Sequence, residues 1–105
     1  MRQTNDIQLA TIFKSLSHPR RARIFRLLSA SPEVGQTFSH LQAACKINTG
    51  PLIHHLREME RCGLLTRRRK GPFVQYSLTP HGLLSGCADV QSICRPPPTL
   101  SSNAA

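Results

Sequence analysis

The chain has no tryptophan, a single tyrosine and only five acidic residues among its 105. Five acids and five scattered histidines provide no paired carboxylates, no metal triad and no nucleophile with its base, so an enzyme is not expected. No apolar run approaches the roughly 20 residues that a membrane-spanning helix requires. The opening residues MRQTNDIQ lack the basic-then-apolar order of a secretory signal, which predicts a cytoplasmic protein without a membrane partner.

Positive charge dominates what is present. Fourteen Lys and Arg residues against five acids give a net charge of +9, and the isoelectric point is near 10.8. This imbalance favours attraction to a polyanion, with nucleic acid as the first candidate and an anionic membrane surface as the second. A chain of 105 residues with 39% hydrophobic residues supports one domain with a modest core, which favours pairing with a second copy.

Apolar periodicity predicts two helices near the start of the chain. The i, i+3, i+4, i+7 spacing of an amphipathic helix is met by Leu9, Ile12, Phe13 and Leu16. Pro19 suits the first turn of a second helix, with Ser17 or His18 as its cap. Two interpretations stay open for Arg20, Arg21 and Arg23 of that helix: a solvated face, or a contact to a nucleic-acid backbone. Residues 31–35 form a loop by composition.

A short third helix is expected around 39–45 and a fourth over 48–62, joined by a tight connection. Asn48 is a suitable N-cap for the fourth helix, and Gly63 is placed to end it. The apolar stripe of this helix consists of Leu52, Leu56 and Met59. We expect His55 on that packed side. The opposite side carries Thr49, Ile53, His54, Arg57 and Arg61.

A basic hairpin is predicted over 64–79. Side chains alternate along both strands across a Lys70-Gly71-Pro72 turn, with β-branched and aromatic residues on the return strand. The first strand carries four consecutive cations, Arg67, Arg68, Arg69 and Lys70. A last helix is expected from about 81 to 94, where a run of prolines stops it. We predict one domain over 1–95 and a disordered tail over 96–105.

The order of these elements predicts a mainly α fold with a small β-hairpin, α-α-α-α-β-β-α, which is a winged helix-turn-helix. In such a fold the second helix of the pair enters the major groove of double-stranded DNA by its N-terminal residues. That helix end also presents free N–H groups and partial positive charge to phosphates. The hairpin is the wing, and its block of cations is expected to contact phosphates. The alternative is an edge strand that is kept charged against pairing with another strand.

Four segments carry a resemblance to a known family. They are Leu16–Ile24 (LSHPRRARI), Asn48–Leu56 (NTGPLIHHL), Glu60–Leu64 (ERCGL) and Tyr76–Gly82 (YSLTPHG). Over residues 7–95 the chain resembles the winged-helix repressors of the ArsR type. The resemblance implies a homodimer joined through its first and last helices, which binds an inverted repeat near a promoter and represses transcription.

The chain departs from the family pattern at its metal-binding positions. Metal-responsive members carry a Cys-x-Cys pair entering the third helix, where this chain has Thr37 and Ser39. Others bind metal through an Asp/His set on the last helix, but no histidine follows Asp89 here. We therefore expect neither a metal nor a cofactor.

The recognition helix departs from the pattern as well. It has Gly50, Pro51 and Ile53 where hydrogen-bonding side chains are frequent. We therefore expect DNA recognition to depend more on backbone contacts and DNA shape than on hydrogen bonds to bases. The predicted DNA-binding residues are Asn48, Thr49, Gly50, Pro51, Ile53, His54, Arg57, Arg67, Arg68, Arg69 and Lys70. The Pro and Ile on this face also favour an alternative of a different class, a winged helix that docks on protein or RNA.

The four cysteines leave a further alternative open. They are expected to be reduced thiols, with Cys45 and Cys62 as small core residues. Cys87 and Cys94 lie about 10 Å apart along the axis of the last helix, too far for a disulfide between them or for one shared ion. Across a dimer the equivalent helices could bring these thiols together as a redox or soft-metal switch. Cys87 and Cys94 are therefore candidate sensing residues.

Overall fold

The structure is a computed structural model that describes residues 5–31 and 34–94. The elements of these residues are, in chain order, α1 (Asp6–Ser15), α2 (Pro19–Ser29), β1 (Gln36–Thr37), α3 (Phe38–Cys45), α4 (Thr49–Arg61), β2 (Leu65–Lys70), β3 (Phe73–Leu78) and α5 (His81–Ile93). The predicted winged helix-turn-helix order is confirmed, with β1 as an addition. Pro32 and Glu33 of the predicted loop and the predicted tail over 96–105 lie outside the described residues.

The strands form one antiparallel sheet in the spatial order β1-β3-β2. β2 and β3 pair along their whole length, from Leu65 opposite Leu78 to Lys70 opposite Phe73. β1 pairs with the other side of β3 at the base of the hairpin. It was not predicted, because two residues are too few to show an alternating pattern. β2 is consequently an edge strand.

The core is built from one face of each of α2, α3 and α4 and from the base of the hairpin. Its fully buried apolar side chains are Ile24, Leu28, Leu41, Leu52, Leu56, Met59 and Leu64. Leu65 of β2 and Tyr76 of β3 join the same cluster, at 2% and 8% exposed. Burying a side chain of this size stabilises the fold by about 1.5–3 kcal/mol. α4 supplies three members of the cluster, so packing in the core restrains its orientation.

A tight connection fixes α3 against α4. Lys46 ends α3 in the left-handed conformation, with φ 55° and ψ 45°, and Ile47 is buried at 5% exposed. Across this connection Gln42 Nε2 donates a hydrogen bond to Thr49 Oγ1 at 2.8 Å. Asn48 occupies the N-cap of α4 as predicted, although its side chain makes no capping hydrogen bond. Its amide therefore stays exposed at the N-terminus of α4.

The end of α4 sets the direction of the hairpin. Gly63 adopts φ +83°, a conformation that favours glycine, and the Leu64 N–H donates to the Met59 carbonyl oxygen at 2.9 Å. The Thr79 hydroxyl donates to the Gly63 carbonyl oxygen at 2.8 Å, and the Thr79 N–H donates to the Leu64 carbonyl oxygen at 2.8 Å. Thr79 thus ties both ends of the hairpin to the end of α4.

Candidate nucleic-acid interface

α4 has one buried and one accessible face, as its apolar stripe predicts. The buried residues are Leu52, His55, Leu56 and Met59. The exposed residues on the other side include Asn48, Thr49, Gly50, Pro51, His54 and Arg57, and Ile53 is half-buried. The two adjacent histidines divide as expected, with His54 exposed and His55 only 6% exposed. The α4 residues predicted to meet DNA therefore lie on the accessible face or at its edge.

The wing carries its four cations on both faces rather than on one. Arg67, Arg68, Arg69 and Lys70 are all exposed. Side chains alternate along a strand, so Arg67 and Arg69 share the face of Leu65, whereas Arg68 and Lys70 lie on the opposite face. The single cationic block expected from the sequence is therefore two pairs. Neighbours in the sequence of a strand are not neighbours on its surface.

A cleft of about 450 Å³ separates α4 from the wing. Its lining includes Thr49, Ile53 and Arg57 from α4, and Arg67, Pro72, Phe73, Val74 and Tyr76 from the hairpin. Four residues of the predicted interface meet here, which joins the recognition helix and the wing into one surface. The aromatic contributions of Phe73 and Tyr76 were not predicted, although alternation along β3 separates the exposed Phe73 from the buried Tyr76.

The charges on this cleft are mainly positive. Arg57 and Arg67 contribute two cations, and Glu60 contributes one carboxylate. Burial raises the pKa of the Tyr76 hydroxyl. The positive charges of Arg67 and Arg57 lower this pKa and the negative charge of Glu60 raises it, so all three charges act on the Tyr76 hydroxyl. The phenol is neutral at pH 7. A phosphate between α4 and the wing would therefore meet a net positive surface.

Two arginines of α2 donate hydrogen bonds to the helix-turn-helix; Arg21 is half-buried, whereas Arg23 remains exposed to solvent. Arg21 Nε donates to His55 Nδ1 of α4 at 3.2 Å, across 34 positions of the chain. Arg23 Nη2 donates to the Ala44 carbonyl oxygen near the end of α3, also at 3.2 Å and across 21 positions. No local pattern indicates these partners, because they are brought together only when α2 packs against α3 and α4.

Known proteins share the fold of this chain. No protein-family model matches the chain. The chain is 27% identical over 94 residues to the HTH-type transcriptional regulator YgaV of Escherichia coli (strain K12). The matched region covers 90% of this chain and 93% of the relative. The crystal structure of the ArsR family transcriptional regulator RHA00566 superposes with a TM-score of 0.75 at 20% identity, over 87% of this chain and 91% of that chain. This chain has the ArsR-type winged helix-turn-helix fold.

A third protein has the same ArsR-type fold in a dimeric form. The homodimeric winged helix-turn-helix DNA-binding domain Mb0332 of Mycobacterium bovis superposes with a TM-score of 0.67 at 22% identity, over 88% of this chain and 90% of that chain. The resemblance stated from the sequence segments is therefore confirmed.

The first and last helices of this ArsR-type fold carry exposed apolar side chains. α1 packs against α5, where a Cβ at Gly86 would lie 3.3 Å from Leu9 Cδ1. Seven large apolar side chains are exposed among the described residues, and the five on α1 and α5 are Ile7, Phe13, Leu84, Val90 and Ile93. We name these five residues the α1–α5 apolar surface. Exposed apolar side chains at this density favour an interaction surface. No helix over 5–31 or 34–94 is both long and apolar enough to cross a bilayer.

The four thiols of the chain differ in exposure. Cys87 and Cys94 are exposed, whereas Cys45 and Cys62 are half-buried. Burial raises the pKa of the Cys45 thiol, and the positive charge of Arg23 opposes this shift. Cys45 packs against the core cluster, as predicted. Within the part of the chain that the structure describes, no group of three His, Cys, Asp or Glu side chains is arranged to hold a metal ion.

Proposed function

We propose that this protein is a homodimeric transcriptional repressor that binds an inverted repeat in double-stranded DNA. The recognition helix (48–62) enters the major groove, and the wing (64–79) contacts the adjacent backbone. One observation carries the proposal: residues of the accessible face of α4 and Arg67 of β2 line a shared, net positive cleft. The relatives named as transcriptional regulators support it, and a cytoplasmic location is part of it.

The two sides of the cleft have different roles in this proposal. Arg57 on α4 and the wing cations on the face of Leu65, Arg67 and Arg69, bind phosphates, which positions the protein without reading sequence. Arg68 and Lys70 on the other face of β2 add long-range attraction to the DNA. Thr49 and His54 are the polar side chains on the exposed face of α4 that reach base edges. The Thr49 hydroxyl is held by Gln42 at 2.8 Å, so its direction is set before DNA binds. Ile53 offers an apolar contact to a thymine methyl group.

The N-terminal turn of α4 contributes through its backbone. Asn48, Gly50 and Pro51 are exposed, and nothing lies within 4 Å of the position of a Cβ at Gly50. A DNA backbone can therefore approach the free N–H groups of this helix end closely. This supports the expectation that part of the binding energy comes from backbone contacts and DNA shape.

The α1–α5 apolar surface is the proposed dimer interface. Burying its five large side chains against a second copy would remove them from water, which favours association. The homodimeric state of the Mycobacterium bovis domain supports the formation of a dimer. A two-fold symmetric dimer presents two recognition helices to two half-sites, and this symmetry is the reason for an inverted repeat. A dimer seated on promoter DNA blocks the polymerase, and we therefore favour repression over activation.

Measuring the affinity for DNA from the chain's own upstream region at several salt concentrations tests the proposal. Phosphate contacts release counterions, so the logarithm of the association constant should fall linearly with the logarithm of the salt concentration. Absence of binding, or binding that salt does not change, rejects DNA as the partner. A preference for RNA of the same sequence would instead favour the alternative of a winged helix for RNA.

Two sets of variants separate phosphate contacts from base reading. Arg68→Ala with Arg69→Ala should weaken binding to all DNA sequences by a similar factor, because phosphates are the same in every site. His54→Ala or Thr49→Ala should instead alter the discrimination between the operator and a mutated operator. Uniform weakening by all of these variants would contradict the assigned roles.

A thiol-responsive switch on the same scaffold is the second candidate function. The exposure of both Cys87 and Cys94 on or beside α5 favours it, because α5 also carries part of the α1–α5 apolar surface. Oxidation of a thiol at this surface would alter dimerisation and release DNA. DNA release by an oxidant should then be lost in the Cys87→Ser, Cys94→Ser double variant. A normal response of that variant removes both residues from any sensing mechanism.

A further inference from the structure

Arg21 and His55 link α2 to the recognition helix through one hydrogen bond. Arg21 Nε lies 3.2 Å from His55 Nδ1, and His55 is only 6% exposed on the packed side of α4. His55 lies near the middle of this helix, and its neighbour Leu56 is fully buried. A bond from a second helix to this point restrains the rotation of α4 about its axis. Rotation of α4 would move His54 and Arg57, which lie on its exposed face.

The hydrogen bond requires a neutral imidazole. An imidazole nitrogen accepts a hydrogen bond only while it carries no proton, and a protonated histidine is a donor at both nitrogens. The partner is a guanidinium, which remains charged at any physiological pH. Protonation of His55 therefore removes the bond and places two positive charges next to each other.

Basic groups face His55 from both helices. The His18 ring centroid is 4.6 Å from that of His55, and the His54 ring centroid is 5.8 Å away. The groups that contribute positive charge at this site are His18, Arg20, Arg21 and His54. Burial lowers the pKa of His55, and these charges lower it further. Glu58 lies one turn further along α4, and its carboxylate accepts a hydrogen bond from Arg61 Nη2 at 2.6 Å, so its negative charge is paired with Arg61.

His18 connects the same cluster to the start of α2. It is the N-cap of this helix, and its Nδ1 accepts a hydrogen bond from the Arg20 N–H at 3.1 Å. The first turn of α2, which this cap fixes, is the part of the helix from which Arg21 reaches α4.

We propose that Arg21 and neutral His55 are positioning residues for the recognition helix, and that acidification releases DNA by breaking the bond between them. This inference rests on the proposed DNA-binding function. Neither residue needs to touch DNA for this role. The pair holds α4 in the orientation in which Arg57 and the wing face the same cleft, and a rotated α4 loses contacts on one side.

The test compares wild type with His55→Asn, titrated with the upstream DNA from about pH 7.5 to about pH 5, a range around the ordinary imidazole pKa of about 6.5. Asparagine places a carbonyl oxygen near the position of Nδ1 and does not titrate in this range. Effects of pH on the DNA itself are common to both proteins and cancel in the ratio of their dissociation constants. The dissociation constant of wild type, divided by that of the variant, should rise by up to about tenfold for each pH unit below the pKa of His55. A constant ratio overturns the proposal.

Arg21→Ala and Arg23→Ala form a matched pair of controls, because each removes one cation from α2. Arg21→Ala should weaken binding about threefold to tenfold at pH 7.5 and reduce the response to pH, without changing the salt dependence. Arg23 bonds to α3 instead, so Arg23→Ala should keep the full response to pH. If Arg21→Ala lowers the salt dependence and keeps the pH response, Arg21 contacts a phosphate and the proposal fails.

Thermal unfolding of the free proteins provides a measurement without DNA. The folded-state pKa of His55 is lowered, so the unfolded chain binds its proton first as the pH falls. Wild type should therefore lose stability relative to His55→Asn as the pH falls through about 6.5, and the loss should level off below the pKa of His55. His55→Gln serves as a second variant if His55→Asn does not fold. Absence of DNA binding by every protein rejects the proposed function, whereas parallel unfolding curves reject the role of the pair.

Discussion

Face-matched substitutions in the wing test how the hairpin meets DNA. Arg67 and Arg69 lie on the face of β2 that carries Leu65, and Arg67 lines the cleft beside α4. Arg68 and Lys70 lie on the opposite face. The variants R67A/R69A and R68A/K70A therefore remove the same number of charges from the same strand, but from different faces. We expect the first pair to contact phosphates, because DNA that engages α4 lies on the side of the cleft.

The expected magnitude follows from counterion release. A homodimer of the R67A/R69A variant loses four phosphate contacts, two for each protomer, and each contact contributes about 0.9 to the salt slope in B-DNA. The slope of log K against log salt should therefore become shallower by about 3.6. Between about 50 mM and about 200 mM salt, wild type should lose about 150-fold more affinity than this variant. The R68A/K70A variant should keep the wild-type slope to within about one unit.

Fluorescence anisotropy with labelled operator DNA measures these slopes, and circular dichroism checks that both variants are folded. Equal changes in slope for the two variants would mean that net charge alone matters and that the wing has no preferred face. A larger change for R68A/K70A would place DNA on the other side of the hairpin. Either result refutes the argument from the cleft.

Three further predictions concern assembly, stability and thiol chemistry. Leu84→Asp should dissociate the dimer, as measured by sedimentation velocity. Val34→Asp is the control and should leave the dimer intact, since Val34 is similarly exposed (68% against 62% for Leu84) but lies outside the α1–α5 apolar surface. Dissociation by both variants would show that this surface has no special role. In urea unfolding, Gly63→Ala should destabilise by about 1–2 kcal/mol because its backbone is left-handed. Gly35→Ala should destabilise more, since a Cβ there would also lie 2.6 Å from a backbone oxygen of β3, while Gly63 has open space around it. The Cys45 thiol should react with a disulfide reagent more slowly than the thiols of the α5 region at pH 7, because burial limits access and raises its pKa, and equal rates would contradict this.

Predictions from the sequence succeeded where the interactions are local. Asn48, the apolar stripe and Gly63 located α4 to within one residue at each end, because capping and helical periodicity involve residues up to four positions apart. His18 was one of two predicted caps for α2, and the structure selects it. β1 was missed because its two residues are defined only by pairing with β3.

The candidate site was predicted less completely than the fold. Alternation along β2 was sufficient to divide the wing cations into two pairs, so this correction was available from the sequence. The sequence did not show that Arg57 and Arg67 line the same cleft, because this depends on how Thr79 ties the hairpin to the end of α4. Arg21 was placed on a solvated face or on DNA, since nothing near it in the sequence indicates a bond to His55.

The sequence by itself determined the order of the main elements, the inward face of α4 and the excess of positive charge. These properties depend on composition or on contacts within about one helical turn, and a chain carries them before it folds. Only the tertiary structure decided which distant groups meet: the arginine of α2 with the buried histidine of α4, and the recognition helix with one face of the wing. Such contacts join residues as far as 34 positions apart, and they arise from the packing of the whole core.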